Sequence, residues 1–519
     1  MYHTVFLSPQ KQRLRAKTGE TLSEVFAQNG IVLSADCGGK GVCGKCKVKV
    51  LQGKVNNAEP DEEGWVLACR AQLCENVTIE LPSRSLLATF IEHNEENAAT
   101  NTKNGHIKNK KLFGVALDIG TTTLEAELID LTTGETLQKH VCFNPQIAYG
   151  ADVISRIQAC REGKFSQLRA CLLRQIDAAV AALLKDQNGG DKEKSVQTMT
   201  VAGNTAMLHI ALGYSPETLG VAPFTPLFTA AQTLDKAALK GTALDVKTRQ
   251  AYVLPSASAF IGADVVAGVV ECGMSHTDET QILIDLGTNG EIVLSHQGKL
   301  YAASAAAGPA LEGACIECGL GGVTGAIDQV YMQNGKLSFS TVGGAEGTGL
   351  CGSGLIDLIA LLRCEGLLDE NGTWREETET PLSERLCGDR FYLTEKVYVS
   401  QADVRQFQLA KGAIRAGIET LLSVCNVSET QIQSVYIAGR LGGHIDVKNA
   451  LLTGLLPPSW SAKIKAVGNT ALSGARRCLQ DKTARENLQE TARRIQTVQL
   501  PDQPSFTQAF LRHMSFVKF

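Results

Sequence analysis

Three cysteines, Cys37, Cys43 and Cys46, lie close together in a glycine-rich stretch, and Cys69 follows further along the chain. Their spacing, C-x5-C-x2-C, is one residue longer in the first gap than the plant-type C-x4-C-x2-C pattern that holds a [2Fe–2S] cluster. Zinc is the alternative metal, but zinc sites usually use two C-x2-C pairs, and this stretch has one. The four cysteines therefore predict a [2Fe–2S] cluster as the metal site.

The elements that must position these thiols form a small mixed domain. Alternating apolar residues predict strands at 5–7, 13–15, 47–51 and 77–81, and Thr21 with Glu24 predicts a capping box at the start of a helix. This order of elements resembles the β-grasp fold of ferredoxins, in which the stretch around Cys69 supplies the fourth ligand. Cys74 lies nearby and is the alternative fourth ligand.

Composition bounds the class of protein. The 519 residues are 44% hydrophobic and 20% charged, with a net charge of −4, which is typical of a multidomain globular protein and argues against a nucleic-acid binder. No apolar run is long enough for a membrane span, and the N-terminus lacks a secretory signal. With 16 cysteines and no export signal, we expect a cytoplasmic protein whose thiols stay reduced.

A polar stretch separates the cysteine-rich domain from the rest of the chain. Residues 85–111 are rich in Asn, Lys and Glu, which is typical of a flexible linker. We therefore predict a ferredoxin-like domain at 1–84, a linker at 85–111, a first ATPase-like subdomain at 112–200 and a C-terminal ATPase-like domain at 201–519.

A phosphate-binding pattern begins directly after the linker. A buried strand ends at Asp118, the chain turns at Gly120, and Thr121 to Thr123 lead into a second strand. Backbone N–H groups and hydroxyls at such a turn can bind phosphate oxygens, and the preceding carboxylate can hold a hydrated Mg²⁺. The turn therefore predicts a phosphate site.

The same pattern recurs in the C-terminal half. Residues 281–294 repeat the strand, the turn and the second strand, with Asp285 before the turn at Gly287–Asn289. A strand that leads into a helix also occurs twice, at 201–207 and 466–472. A glycine-rich turn follows the strand at 434–438, where a flat ring can lie against the backbone. These repeats indicate an internal duplication.

The order of these features resembles the ATPase fold shared by actin, the sugar and acetate kinases and the large heat-shock chaperones. The fold class is therefore multidomain, α+β and α/β, with a β-grasp ferredoxin domain and a duplicated ATPase core. The resemblance implies ATP and Mg²⁺ as cofactors, with Asp118 and Asp285 at the metal and the attacking water. It places the phosphates at Gly120, Thr121, Thr122, Thr123, Gly287, Thr288 and Asn289, and the adenosine at Gly439, Gly442 and Gly443.

Three further features have two interpretations each. Glu312 either orients water as a base or caps a helix. The glycines at 349–354 either approach the nucleotide or, as we expect, begin a helix. Cys315 and Cys318 form a C-x2-C pair that invites a redox or metal role, but we expect buried or incidental thiols because no second pair accompanies them.

The whole chain resembles the ATP-dependent reductive activators of corrinoid proteins. The matching residues are the cluster loop 37–46, the two hairpins at 118–123 and 285–291, the run 221–224, the stretch 306–314 and the turn 439–443. The resemblance implies that a [2Fe–2S] domain reduces cobalt(II) to cobalt(I) in a corrinoid protein of a methyltransferase system. It also implies a homodimer and a low-potential electron donor as a second partner.

Three other functions share these motifs. An activator of a different metalloenzyme, such as a radical-type dehydratase, would use every one of them. A cluster-regulated small-molecule kinase would transfer phosphate to an acceptor instead of only hydrolysing ATP. A redox-sensing binding protein would bind nucleotide without coupling it to electron transfer.

Overall fold

The fold is described here by a computed structural model that covers residues 1–33, 35, 37–82, 112–185, 196–375 and 377–516, and the backbone of 90–93. Within these ranges the chain divides into two units, residues 1–267 with 471–489, and residues 268–470 with 490–519. No helix among the described residues has both the length and the apolar character needed to cross a bilayer.

The first unit begins with the predicted β-grasp domain. Its five-stranded sheet has the order β2-β1-β7-β3-β5, with β1 and β7 parallel. Thr21 caps the helix through the predicted capping box with Glu24, and the helix buries Leu22, Val25 and Phe26 in the domain core. The elements are β1 (Tyr2–Ser8), β2 (Gln12–Lys17), α1 (Leu22–Gln28), β3 (Lys47–Gln52), β4 (Val55–Asn56), β5 (Trp65–Leu67), β6 (Gln72–Leu73) and β7 (Val77–Glu80).

The rest of the first unit is built on a seven-stranded sheet of order β13-β14-β12-β9-β10-β11-β8. Strands β9, β10 and β11 form the predicted antiparallel run, and β12 pairs parallel with β9. The elements are β8 (Phe90–His93), β9 (Phe113–Ile119), β10 (Thr123–Asp130), β11 (Thr136–Phe143), α2 (Val153–Ala159), α3 (Phe165–Lys185), β12 (Val196–Gly203), α4 (Thr205–Leu212), β13 (Gln232–Leu234), β14 (Ala251–Val253) and α5 (Ala263–Glu271).

The second unit contains a six-stranded sheet of order β25-β24-β15-β16-β17-β26. Helix α7 packs on this sheet, where Ile414 fills the space left by Gly290. The elements are β15 (Gln281–Leu286), β16 (Gly290–His296), β17 (Lys299–Ala305), β18 (Ala326–Gln333), β19 (Lys336–Thr341), β20 (Gly349–Leu350), α6 (Gly352–Cys364), β21 (Leu386–Cys387), β22 (Arg390–Tyr392), β23 (Tyr398–Ser400), α7 (Gln401–Val424), β24 (Ser434–Ala438), α8 (Gly439–Gly442), α9 (Val447–Leu452), β25 (Ile464–Gly468), β26 (Ile495–Thr497) and α12 (Pro504–Met514). Between β25 and β26, α10 (Thr470–Gln480) and the first part of α11 (Lys482–Arg494) belong to the first unit.

The two large sheets share one topology, which confirms the predicted duplication. In each, three consecutive antiparallel strands are followed by a strand parallel to the first one, and then by another parallel strand. By position in the sheet, β12 therefore corresponds to β24, and β14 corresponds to β25. The sequence similarity between 201–207 and 466–472 paired β12 with β25 instead. That pairing is wrong because a short Gly-Asn-Thr joint recurs at strand ends that are not equivalent.

Residues 471–489 return to the first unit after the chain has formed most of the second. The Thr200 hydroxyl donates to the Ala475 carbonyl at 2.6 Å, and the Gln480 amide donates to the Gly134 carbonyl at 2.8 Å. Gly474 lies so close to Ala267 that a Cβ there would be 2.7 Å from its side chain. The first unit therefore depends on a segment from near the end of the chain.

Two strands lie at the predicted domain limits: one spans a limit, and the other lies inside the predicted linker. The limit between residues 200 and 201 falls inside β12, and we propose that this part extends instead to about residue 267, where the first unit gives way to the second. The predicted linker 85–111 contains β8, which pairs with β11. The remainder of that linker lies outside the described residues.

Candidate functional site

The cluster loop connects α1 to β3 and is held by its own domain. The Arg70 guanidinium donates to the Lys40 carbonyl at 2.6 Å, and the Ala68 amide donates to the Cys46 carbonyl at 3.0 Å. Gly41 has a φ of 72°, and a Cβ there would lie 2.2 Å from Arg70 Nε. Glycine is needed at this position so that the arginine can clamp the loop.

The four predicted ligands form two pairs of thiols. Cys46 and Cys69 are buried with their sulfurs 3.4 Å apart, and Cys37 forms a hydrogen bond with Cys43. That bond lowers the pKa of Cys37 to about 4 and raises the pKa of Cys43. The bond from Cys69 lowers the pKa of Cys46 to about 7. Each pair thus favours one thiolate, the form that binds metal.

This donor set fits a [2Fe–2S] cluster better than a single ion. A two-iron cluster needs two thiolates for each iron, which is how the four cysteines are arranged. The Cys74 thiol donates to the Lys54 carbonyl at 3.3 Å, and it is Cys69 that lies beside Cys46.

The first phosphate hairpin is held from one side by side chains of the same unit. The Gly120 carbonyl accepts a hydrogen bond from Asn144 Nδ2 at 2.9 Å, and the Thr121 carbonyl accepts one from Arg156 Nη2 at 2.6 Å. A trans peptide points its N–H opposite to the preceding carbonyl. The N–H groups of Thr121 and Thr122 therefore point away from Asn144 and Arg156, as a phosphate cradle requires.

Helix α4 orients the hydroxyl of this hairpin. Asn204 caps α4 by accepting from the Met207 amide at 3.0 Å, and its Nδ2 donates to Thr121 Oγ1 at 3.0 Å. A Cβ on Gly262 would lie 2.6 Å from Asn204 Cα and 2.5 Å from Asp264 Oδ1. Burial raises the pKa of Asp264 to about 6. Gly262 thus packs against Asn204, the residue that binds the hairpin, and Asp264 lies next to this packing contact.

Sequence reasoning missed Asn144, Arg156 and Asp264. Asn144 precedes a proline at the end of a strand, which is a turn signal only. Arg156 is an isolated basic residue in a short helix, and no local pattern shows that it is fully buried. Asp264 follows Gly262 at the start of α5, where an acidic residue is ordinary. Only the tertiary fold brings Asn144 and Arg156 to the hairpin and Asp264 close to Gly262.

In the second unit, the second hairpin has Glu312 as its neighbour. The Thr288 hydroxyl donates to Glu312 Oε2 at 2.8 Å, and a Cβ on Gly287 would lie 3.7 Å from Glu312 Oε1. The turn is closed by a bond from the Gly287 amide to the Asn289 carbonyl at 3.1 Å. The fold therefore brings the predicted base to the predicted phosphate hairpin, although the two are separated in the sequence.

The predicted adenosine turn lies beside Asp285. Gly439 has a φ of 85°, and a Cβ there would be 2.5 Å from Asp285 Oδ1. Gly442 packs on Ile437, and Gly443 lies beside Gly468. Of the three glycines predicted at this turn, Gly439 is therefore the one that the carboxylate approaches most closely.

The remaining motifs are distributed through the second unit. Helix α6 begins at Gly352, as we expected for the glycines at 349–354. Cys318 contacts the Lys396 carbonyl at 3.7 Å, and Cys351 lies next to the Ser353 hydroxyl at 3.3 Å. Cys315 is exposed.

Comparisons with known proteins cover all three parts of the chain. The 2Fe-2S iron-sulfur cluster binding domain matches residues 5–74, the RACo middle region matches 113–277, and the C-terminal domain of RACo, the ASKHA domain, matches 279–518. The last two matches meet near the end of α5, which supports the proposed limit of the first unit.

Two relatives and one solved structure match most or nearly all of the chain. The corrinoid activation enzyme RamQ of Eubacterium limosum is 30% identical over 95% of this chain and 96% of its own length. The [Co(II) methylated amine-specific corrinoid protein] reductase of Methanosarcina barkeri is 26% identical over 74% of this chain and 73% of its own. A solved structure titled reductive activator for corrinoid, iron-sulfur protein superposes with a TM-score of 0.72 and 27% identity, over 99% of this chain and 98% of its own. The chain thus belongs to the family of ATP-dependent reductive activators of corrinoid proteins, in which a [2Fe–2S] domain is joined to an actin-like ATPase core.

Proposed function

We propose that this protein activates a corrinoid protein by an ATP-dependent one-electron reduction of its cobalt(II) to cobalt(I). The observation that carries this function is the presence of a four-cysteine domain and two phosphate hairpins in one chain, matched over nearly its whole length by a corrinoid activation enzyme. The cofactors are a [2Fe–2S] cluster, ATP and Mg²⁺.

The role of the first domain is to hold a one-electron donor. A plant-type [2Fe–2S] cluster supplies one electron near −400 mV when bound. Cys37, Cys43, Cys46 and Cys69 are the proposed ligands, in the two pairs described above. Arg70 and the loop glycines keep the thiols close together without placing side chains over them.

The two hairpins are the proposed phosphate sites. Gly120 and Thr121 to Thr123 are proposed to bind the phosphates of one site. The N–H groups of Thr121 and Thr122 are available on that side because Asn144 and Arg156 bind the preceding carbonyls on the other. In the second unit Gly287, Thr288 and Asn289 form the corresponding turn. Asp118 and Asp285 are proposed to hold Mg²⁺ through water and to orient the attacking water.

Two further features of the second unit, Glu312 and the glycine turn, have proposed roles in nucleotide binding and hydrolysis. Glu312 is the proposed base because the carboxylate that accepts from Thr288 lies within reach of the phosphate hairpin. Gly439, Gly442 and Gly443 are proposed to line the adenosine, with Gly439 nearest to Asp285.

ATP is needed because the acceptor is difficult to reduce. For one electron, 59 mV is a factor of ten in the equilibrium constant, so an acceptor 100 mV below the donor costs about 2 kcal/mol. A protein that binds one state of its acceptor more tightly than the other can offset a cost of this size. Nucleotide-dependent binding of the corrinoid protein is the proposed source of that difference.

The identity of the partners is a finer proposal, based on the family resemblance. We propose a corrinoid protein of a methyltransferase system as the acceptor and a low-potential carrier as the donor that recharges the cluster. We also propose a homodimer, which predicts a solution mass of twice the 55.4 kDa chain in sedimentation equilibrium.

The decisive experiment is anaerobic. Reduced protein is mixed with Mg·ATP and a cobalt(II) corrinoid protein encoded near its gene, and the cobalt(I) absorption band is followed. We expect cobalt(I) to accumulate with ATP and not with a non-hydrolysable analogue or without the activator. No ATP-dependent cobalt(I) with any plausible corrinoid partner contradicts the function, and stoichiometric phosphorylation of an acceptor would identify a kinase instead.

A further inference from the structure

The cluster loop rests on the backbone of the neighbouring segment of the first unit. At Gly38, where φ is 59°, a Cβ would lie 2.7 Å from the Ala151 nitrogen and 2.9 Å from Gly150 Cα. A Cβ on Gly39 would lie 3.2 Å from the Ala148 carbonyl. The contact is therefore backbone against backbone, with no side chain to absorb a displacement.

The supporting segment is equally restricted on its other side. A Cβ on Gly150 would lie 2.6 Å from Ser155 Oγ and 2.7 Å from the Arg156 nitrogen. Gly150 is buried, and it lies between the cluster loop and the first turn of α2. A shift of α2 or of its first turn must therefore move the backbone beneath the loop.

Arg156 connects this segment to the phosphate hairpin. The side chain is fully buried. Its Nε donates to the Gly150 carbonyl at 2.9 Å, and its Nη2 donates to the Thr121 carbonyl at 2.6 Å. Its Nη1 lies 3.3 Å from Gln146 Oε1 and 3.1 Å from Met207 Sδ. One guanidinium thus contacts both the hairpin and the residue that supports the cluster loop.

We propose that Arg156 is a positioning residue that couples nucleotide binding at the first hairpin to the packing of the cluster loop on Gly150 and Ala151. This proposal rests on the proposed function, which places phosphate at the hairpin and the cluster at the loop. The guanidinium is planar and its donors have a fixed geometry, so fixing the Thr121 carbonyl also fixes the Gly150 carbonyl. Nucleotide therefore tightens the contact beneath the loop.

The coupling is reciprocal by thermodynamic necessity: if nucleotide favours packing of the cluster loop, packing of the loop favours nucleotide binding to the same extent. A second contact, from Lys164 Nζ to Glu24 Oε1 at 2.6 Å, holds α1 of the cluster domain on the same part of the unit. Weakening this contact makes the packed state less populated without touching the hairpin. It provides a test that leaves Arg156 in place.

The test is hydrogen exchange on the full-length protein with its cluster, with and without saturating Mg·ADP. In the wild type we expect the amides of 37–46 to exchange at least threefold more slowly with nucleotide, and the amides of 118–124 to be protected as well. In R156K, which keeps the charge but cannot span both carbonyls, we expect Mg·ADP to leave the loop unprotected even at a concentration that calorimetry shows to saturate the variant. The exposed Arg161 gives the matched control R161K, which behaves as the wild type.

The outcomes separate the coupling from the proposed function. No protection at 118–124 and no nucleotide binding by calorimetry in the wild type would overturn the proposed function and, with it, the coupling. Bound nucleotide with unchanged or faster exchange at 37–46 overturns the coupling alone, whether or not R156K folds. Equal loop protection in R156K also overturns it. K164A should make the loop exchange about twofold faster without nucleotide, and an unchanged rate contradicts the packing.

Discussion

At the scale of single residues, the fourth cluster ligand can be tested directly. Cys69 lies 3.4 Å from Cys46 by sulfur positions, whereas Cys74 donates to the Lys54 carbonyl. We therefore expect C69S to lose most of its iron and its visible absorption bands, because each iron needs two thiolates. C74S is the matched control and should keep both. Full cluster content in C69S would assign the ligand elsewhere.

A second residue-scale prediction concerns the adenosine turn. G439A forces a side chain into the left-handed region at a φ of 85° and places a Cβ 2.5 Å from Asp285 Oδ1. We expect nucleotide affinity to fall at least tenfold by calorimetry, because the carboxylate must move. Gly322 has open space at its Cβ position and an ordinary φ, so G322A is the control. Equal affinities in the two variants would remove Gly439 from the site.

Residue spacing predicted the cysteines and the two hairpins because each of these sites is built from neighbours in the sequence. It could not predict Arg156 or Asn144, since their partners at the hairpin are carbonyl groups that carry no sequence signal. For Glu312 the sequence left two roles open, a base and a helix cap. Its contact with Thr288 depends on how the second hairpin packs against a turn that is distant in the sequence.

At the scale of elements, the C-terminal helix α12 is held to α7 by a buried lysine. Lys411 is 1% exposed, and its Nζ donates to the carbonyls of His513 and Ser515 at 2.6 and 2.7 Å. Burial lowers the pKa of Lys411 to about 7, and Arg415 and Arg363 nearby act in the same direction. The folded chain therefore resists protonation of this amine.

The sign of the resulting pH dependence follows from linkage. Between pH 7 and about 10 the unfolded chain binds a proton on Lys411 that the folded chain does not, so this residue makes stability rise with pH. The rise is about 1 kcal/mol per pH unit. K411Q keeps an N–H donor but does not titrate. We expect the melting temperature of the wild type to rise relative to that of K411Q between pH 7 and 9. A difference in melting temperature that stays constant over this range would contradict the assigned pKa.

The local sequence patterns indicated the duplication, but they paired two strands that are not equivalent in the sheets. The similar joints at 201–207 and 466–472 are local in sequence, whereas the equivalence of β12 with β24 is a property of hydrogen-bonded order in the sheets. Short repeats at strand ends satisfy the same turn chemistry wherever they occur. Strand order depends on partners far away in the sequence, so local patterns could not settle it.

At the scale of the whole molecule, each unit contains one of the two proposed phosphate hairpins. We expect D118A and D285A each to slow ATP-dependent formation of cobalt(I) severely but measurably, because both carboxylates are proposed to hold Mg²⁺ and to orient the attacking water. The double variant should be no slower than the slower single variant, since residues that act together are not additive. Iron content and absorption bands should stay unchanged in all three. Independent, multiplying losses would mean that the hairpins act separately.

The return of residues 471–489 to the first unit has a consequence for how the protein is made. The sheet of β9 to β12 emerges from the ribosome early. The residues that bind it at Thr200 and next to it at Gly134 are Ala475 and Gln480, which come from near the end of the chain. From the end of β12 to Ala475 the ribosome adds roughly 270 residues, which at about 5–20 residues per second takes on the order of 14–54 s. During that interval the surface that receives α10 is uncovered. We infer that the nascent chain is a substrate for chaperones at this stage, and that fragments cut near residue 267 or 279 cannot complete the first unit.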